Sequence, residues 1–101
     1  FQWHGETFSI PAGATRLFAS GHCANQMFAL GPHLAMQCHV EMTPEMIATW
    51  CGQWSDEAAA VAHQPSVQSP STMIREIPER LPAMRELSDR LYSVWIQGLA
   101  R

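Results

Sequence analysis

"QCHVEMTPEM", residues 37–46, is the stretch on which the reading of this chain turns. Its first half alternates, with Gln37, His39 and Glu41 on one side of an extended segment and Met36, Cys38 and Val40 on the other. Its second half announces a helix: Thr43 supplies a capping hydroxyl, Pro44 suits the first helical position, and Glu45 puts an acid in the first turn. The pattern predicts a strand ending near Glu41 and a helix from about residue 44. In a strand, residues two apart lie roughly 6.5 Å from one another on the same face. The Glu41 carboxylate can then lean back to the His39 imidazole. Such a bond fixes the tautomer and favours the protonated ring, which is what a base assisting a thiol nucleophile needs. His-x-Glu alone is a weak signal, and a surface or structural role is its commoner use.

Upstream of this stretch, short apolar segments alternate with turn residues. "FQWH" is followed by Gly5-Glu6, "TFSI" by Pro11-Ala12-Gly13, "TRLFAS" by Gly21-His22, and "NQMFAL" by Gly31-Pro32-His33 before "LAMQCHV". Close spacing, aromatic content and Gly/Pro boundaries predict strands with short connections. Downstream, Met46, Ile47, Trp50, Cys51 and Trp54 continue at helical spacing, predicting a helix over about 44–62. "HQPSVQSPS" reads as a polar connector. Leu81, Met84, Leu87, Leu91, Trp95 and Leu99 form a second apolar stripe, predicting a helix over about 82–99, with Pro78 and Pro82 marking a stepwise start.

The 101 residues are enough for one small domain, and a hydrophobic fraction of 47% with 15% charged residues describes a globular chain. Four Trp, four Phe and six Met are a heavy apolar load, fit for a dense core or for a surface that expects a partner. Net charge is −3, lysine is absent, and there is no basic footprint for nucleic acid. No apolar run approaches the ~20 residues of a membrane span. The opening Phe1-Gln2-Trp3-His4 resembles neither a Met start nor a signal peptide and reads as the interior of a strand. The expectation is the back part of a longer protein. Three unevenly spaced cysteines, Cys23, Cys38 and Cys51, argue against a disulfide framework and for a reducing cytoplasm, and without a Cys-x-x-Cys pair a zinc site has little support. Nothing in the spacing calls for a metal or a cofactor.

Four landmarks in order carry a resemblance. "WHGE" at 3–6, "IPAGATRLFAS" at 10–20, "NQMFALG" at 25–31 and "QCHVE" at 37–41 resemble segments of a class I (triad-type) glutamine amidotransferase domain, of the kind similar to the amidotransferase part of GMP synthase. The last resembles that family's Q-F-H-P-E, with Cys38 for Phe and Val40 for Pro. The resemblance covers roughly residues 1–50 and implies the C-terminal part of one such domain: an α/β sandwich around a mostly parallel sheet, here short strands over about 1–41 followed by the two helices. It implies hydrolysis of glutamine to glutamate and ammonia, with ammonia passed to a synthase domain or subunit. By position His39 becomes the base and Glu41 its orienter, while Trp3-His4-Gly5 matches a segment lining the glutamine pocket. The family's nucleophilic cysteine, in a G-x-C-x-G turn, belongs upstream of this chain, so the chain alone is expected to be inactive.

Could a cysteine present here replace it? Gly21-His22-Cys23-Ala24 is half of a nucleophile turn, but such a turn needs a helix after it, and "ANQMFALG" reads as a strand. Cys38 and Cys51 fit better as small buried apolar residues. Two rival readings remain: a γ-glutamyl hydrolase or peptidase on the same fold, and a non-catalytic module that binds a partner through its aromatic surface. A piece of such a domain should also expose strand edges and apolar surface, so self-association is expected.

Overall fold

The structure, a computed structural model, describes residues 1–99 and is mixed α/β, with short strands followed by helices, as the sequence leads one to expect. The chain divides into two compact units, Phe1–Val40 joined by the segment from Leu87 onward, and Glu41–Glu86.

Unit 1 is built on a three-stranded antiparallel sheet, β1 (Thr15–Phe18), β2 (Met27–Leu30) and β3 (His33–Met36), in the order β1-β2-β3. The sheet of this chain is therefore antiparallel. β2 and β3 pair from Met27↔Met36 to Leu30↔His33 around a two-residue turn, Gly31-Pro32. Gly31 has φ +57°, a conformation that glycine adopts at no steric cost and that a tight hairpin turn requires. Between β1 and β2 the register slips from Arg16↔Phe28 to Phe18↔Met27, so Leu17 is the extra residue of a bulge. Met27 is fully buried, and Phe28 meets Phe8 edge to face with ring centroids 5.0 Å apart.

"FQWH", "TFSI" and "QCHVE" were expected to be strands, and none is one. After Met36 a single further pairing, Gln37 N–H to the Gln26 carbonyl at 2.9 Å, extends the hairpin, and residues 37–41 then proceed by bends. The alternation of apolar and polar side chains is present there, but no neighbouring strand in this chain continues the ladder that would hold it flat.

Unit 2 is helical. α1 (Pro44–Gln53) starts as its cap predicts, with the Thr43 hydroxyl accepting from the Met46 N–H at 3.2 Å. The single helix expected over 44–62 is interrupted at Trp54, whose φ −116° and ψ 31° leave the helical region before α2 (Ser55–Ala60). The Trp54 N–H still reaches the Trp50 carbonyl at 3.0 Å, so the apolar spacing runs through the break undisturbed. α3 (Pro70–Arg75) begins in what reads as connector, 63–71; Ser69 caps it and Pro70 opens it, the same signal as Thr43-Pro44 on a shorter scale. α1 packs against α3, bringing the Cys51 thiol 3.9 Å from the Met73 sulfur, and Ile47 is fully buried. α4 (Ile77–Gln97) begins five residues before the expected start at 82 and carries Pro82 in its interior. Pro78 sits in its first turn, where a missing N–H costs nothing. The division between the two units falls within α4.

Candidate functional site

All but one of the candidate residues, Trp3, His4, Gly5 and His39, lie in unit 1, His39 just beyond the end of β3. The His39 N–H donates to the Phe1 carbonyl at 2.7 Å, which lays the start of the chain alongside residue 39. Two residues earlier, the Gln37 side chain ties down the same segment further along: its Nε2 donates to the Thr7 hydroxyl at 3.0 Å and to the Asn25 carbonyl at 2.7 Å. The segment Gln2–Glu6, which carries Trp3, His4 and Gly5, is thus pinned at both ends to residues 37 and 39.

Within that segment Trp3 is half-buried and its ring lies over Phe1, centroids 6.1 Å apart and planes 24° from parallel. His4 is exposed; its Nδ1 lies 2.9 Å from the Glu6 carbonyl and its Nε2 2.8 Å from Gln2 Oε1, so the imidazole braces its own loop. Gly5 is exposed, and a side chain added there would meet open space. His39 is half-buried, between buried Cys38 and buried Val40. Glu41 is exposed and is the first residue of unit 2. Since residues 37–41 are bends, the same-face argument for His39 and Glu41, which needs a regular strand, does not apply here.

Sequence reasoning passed over two residues of this arrangement. In sequence Gln37 reads only as sharing the face of His39, and no pattern marks Thr7. The signal was present for Gln37, the first letter of the "QCHVE" landmark. Together with Cys23 and Asn25 they close a ring of contacts: Thr7 Oγ1 lies 3.5 Å from Cys23 Sγ, and that thiol donates to the Asn25 carbonyl at 3.7 Å. Asn25 in turn donates from Nδ2 to the Phe8 carbonyl at 2.9 Å.

Cys23 is therefore a node in a bonding ring. Its turn, closed by the Ser20 N–H donating to the Cys23 carbonyl at 2.8 Å, leads into strand β2 and not into a helix. A nucleophile elbow needs that helix N-terminus. Cys38 and Cys51 are buried, as expected. Burial pushes the Cys51 thiol above its ordinary value, the opposite of what an attacking thiolate requires. Among the described residues no three His, Cys, Asp or Glu side chains converge as metal ligands would, and no helix is long and apolar enough to cross a membrane.

No family model matches the chain, and no curated protein does. Solved structures do. The chain is similar over its whole length to a structure described as a glutamine amido transferase from Methylobacillus flagellatus, at 40% identity and a TM-score of 0.92, covering 43% of that protein. It is similar over 95% of its length to a glutamine amidotransferase from Thermotoga maritima, at 27% identity and a TM-score of 0.80, covering 40% of it. The chain thus spans less than half the length of either relative, and its fold is that of a fragment of a glutamine amidotransferase domain.

Proposed function

We propose, from a fold that is part of a glutamine amidotransferase, that the protein to which this chain belongs hydrolyses glutamine to glutamate and ammonia, and that His39 is its base and Glu41 the carboxylate that orients it. The attacking cysteine and the donors to the developing oxyanion belong to the parent upstream of residue 1. In this scheme the cysteine thiolate attacks the side-chain carboxamide carbon of glutamine, and His39 delivers the proton that lets ammonia leave. A γ-glutamyl thioester forms. His39 then takes a proton from water, which attacks the thioester and releases glutamate. Ammonia passes to an acceptor held by a further domain or subunit. The 101-residue chain alone carries no thiol placed for the attack and is inactive.

The observation that most supports this reading is the pinning of Gln2–Glu6 to residues 37 and 39. A loop carrying an aromatic ring and an imidazole runs beside the proposed base, and its ends are fixed by bonds at 2.7 and 3.0 Å. Trp3, His4 and Gly5 would line the glutamine side of the pocket.

The test is ammonia release from glutamine by the full-length parent and by this chain alone. Activity in the parent that disappears in His39→Ala upholds the assignment. Activity in this chain alone, lost in Cys23→Ser, overturns it. A parent that ignores glutamine but cleaves other γ-glutamyl amides points to a γ-glutamyl hydrolase, and one inert towards both to a binding module.

A further inference from the structure

The ring of contacts around Gln37 holds three separate stretches of chain together. A carboxamide nitrogen has two N–H groups. Those of Gln37 go to the two nearest acceptors, the Asn25 carbonyl at 2.7 Å and the Thr7 hydroxyl at 3.0 Å. The Thr7 hydroxyl has its own hydrogen left, and Cys23 Sγ lies 3.5 Å away to take it. Cys23 passes a bond on to the Asn25 carbonyl, where the ring closes. Asn25, through Nδ2, also fixes Phe8, the neighbour of Thr7. Residues 7 and 8 are thereby anchored twice to the β1–β2 connection and once to the end of β3.

The other end of the Gln2–Glu6 loop is tied to the same segment by the backbone bond from His39 to Phe1 at 2.7 Å. Residues 37 and 39 thus bracket the loop from both ends. We infer that Gln37 and Thr7 are positioning residues: their side-chain bond sets the Trp3-His4-Gly5 loop at the distance from His39 that glutamine binding requires. This inference rests on the glutaminase reading and deepens it, since it assigns to the ring the fit of the substrate and leaves the proton transfers to His39. Loss of the bond weakens substrate binding and spares the chemical step.

The experiment uses the full-length parent. Thr7→Val keeps the shape of an exposed side chain and deletes its hydroxyl; Thr7→Ser returns the hydroxyl. Gln37→Met keeps the length and deletes both N–H groups. The KM for glutamine is expected to rise about five- to tenfold in Thr7→Val, which loses the bond from Gln37, and at least as much in Gln37→Met, which loses the bonds to both Thr7 and Asn25, while kcat changes less than about twofold in either. The pH profile of kcat keeps its shape, and Thr7→Ser behaves as the wild type. Amide hydrogen exchange of residues 3–6 becomes faster in the two deletion variants. A wild-type KM in both overturns the inference. Faster exchange with a wild-type KM overturns it as well, because the tie is then structural only. Should Gln37→Met fail to fold, Thr7→Val decides. A wild-type parent that releases no ammonia from glutamine sinks the glutaminase reading and the positioning role with it, and the exchange rates then separate that failure from the absence of the tie.

Discussion

An imidazole can serve as a base only where its ring is held, and the residues that hold the surroundings of His39 are spread over 36 positions of sequence, from Phe1 and Thr7 through Asn25 to Gln37. "QCHVE" was legible as a motif because its letters are contiguous. The ring was not legible, because nothing in Thr7 or Asn25 alone indicates that the chain returns to them. His39→Ala in the parent is expected to lower glutaminase turnover by a factor on the order of 10²–10⁴, the usual worth of a general base, read as initial rate of ammonia release. Cys23→Ser in the parent is expected to retain activity within about twofold, since serine keeps both a donor and an acceptor in the ring. Iodoacetamide at pH 8, followed by peptide mass spectrometry, should label half-buried Cys23 well before Cys51. Cys51 is buried and its thiol is pushed up by that burial, so it holds less thiolate at a given pH.

At the scale of elements, what the chain does locally was readable and what it does cooperatively was not. Thr43-Pro44-Glu45 states its helix start, and the bond from the Met46 N–H to the Thr43 hydroxyl makes Thr43→Ala worth about 1 kcal/mol of stability, measurable by urea denaturation. "FQWH" and "TFSI" have strand composition, but a strand exists only where a partner's ladder pairs with it, and these two are held by side-chain bonds from Gln37 and Asn25 and by the backbone bond from His39 to Phe1 instead. The start of α4 was placed late because Pro82 ordinarily marks a helix beginning. Here it lies inside, where it removes a bond to the Pro78 carbonyl and crowds the preceding turn. Pro82→Ala is therefore expected to raise stability, by up to ~3 kcal/mol. Where α3 ends, Glu76 accepts from Gln68 Nε2 at 3.0 Å and pairs with Arg80 at 2.8 Å. The Gln68 bond is the largest of the effects that hold its carboxyl below the ordinary value. A carboxylate so depressed adds stability above its unfolded pKa and loses it as pH falls through the folded one. Gln68→Ala should move the Glu76 titration upward in NMR, raising the lower edge of that acid loss towards the unfolded pKa and shrinking the stability that Glu76 adds.

Each unit considered as a whole has little to bury. Among the described residues Met27 in unit 1 and Ile47 in unit 2 are the large side chains wholly removed from water. In unit 1 Val94, Ile96 and Leu99 stay exposed near the end of α4, Val94 at 70%. The high apolar content read from the composition thus went partly to surface, which a count of residues cannot reveal. The isolated chain is expected to self-associate, giving a mass by light scattering above the 11.3 kDa of one copy at high concentration. A monodisperse monomer would count against this. The division of the chain has a consequence for how it is made. Unit 2 is one uninterrupted stretch, Glu41–Glu86, set inside a unit whose two parts lie on either side of it. Trp95 Nε1 donates to the Pro32 carbonyl at 3.0 Å, a bond between the hairpin turn and a residue 63 positions later. On the ribosome the helical unit can therefore emerge entire while the hairpin is still waiting for Trp95. A chain lacking Trp95 would still carry the whole helical unit, Glu41–Glu86, but the hairpin turn at Pro32 would be left unlatched.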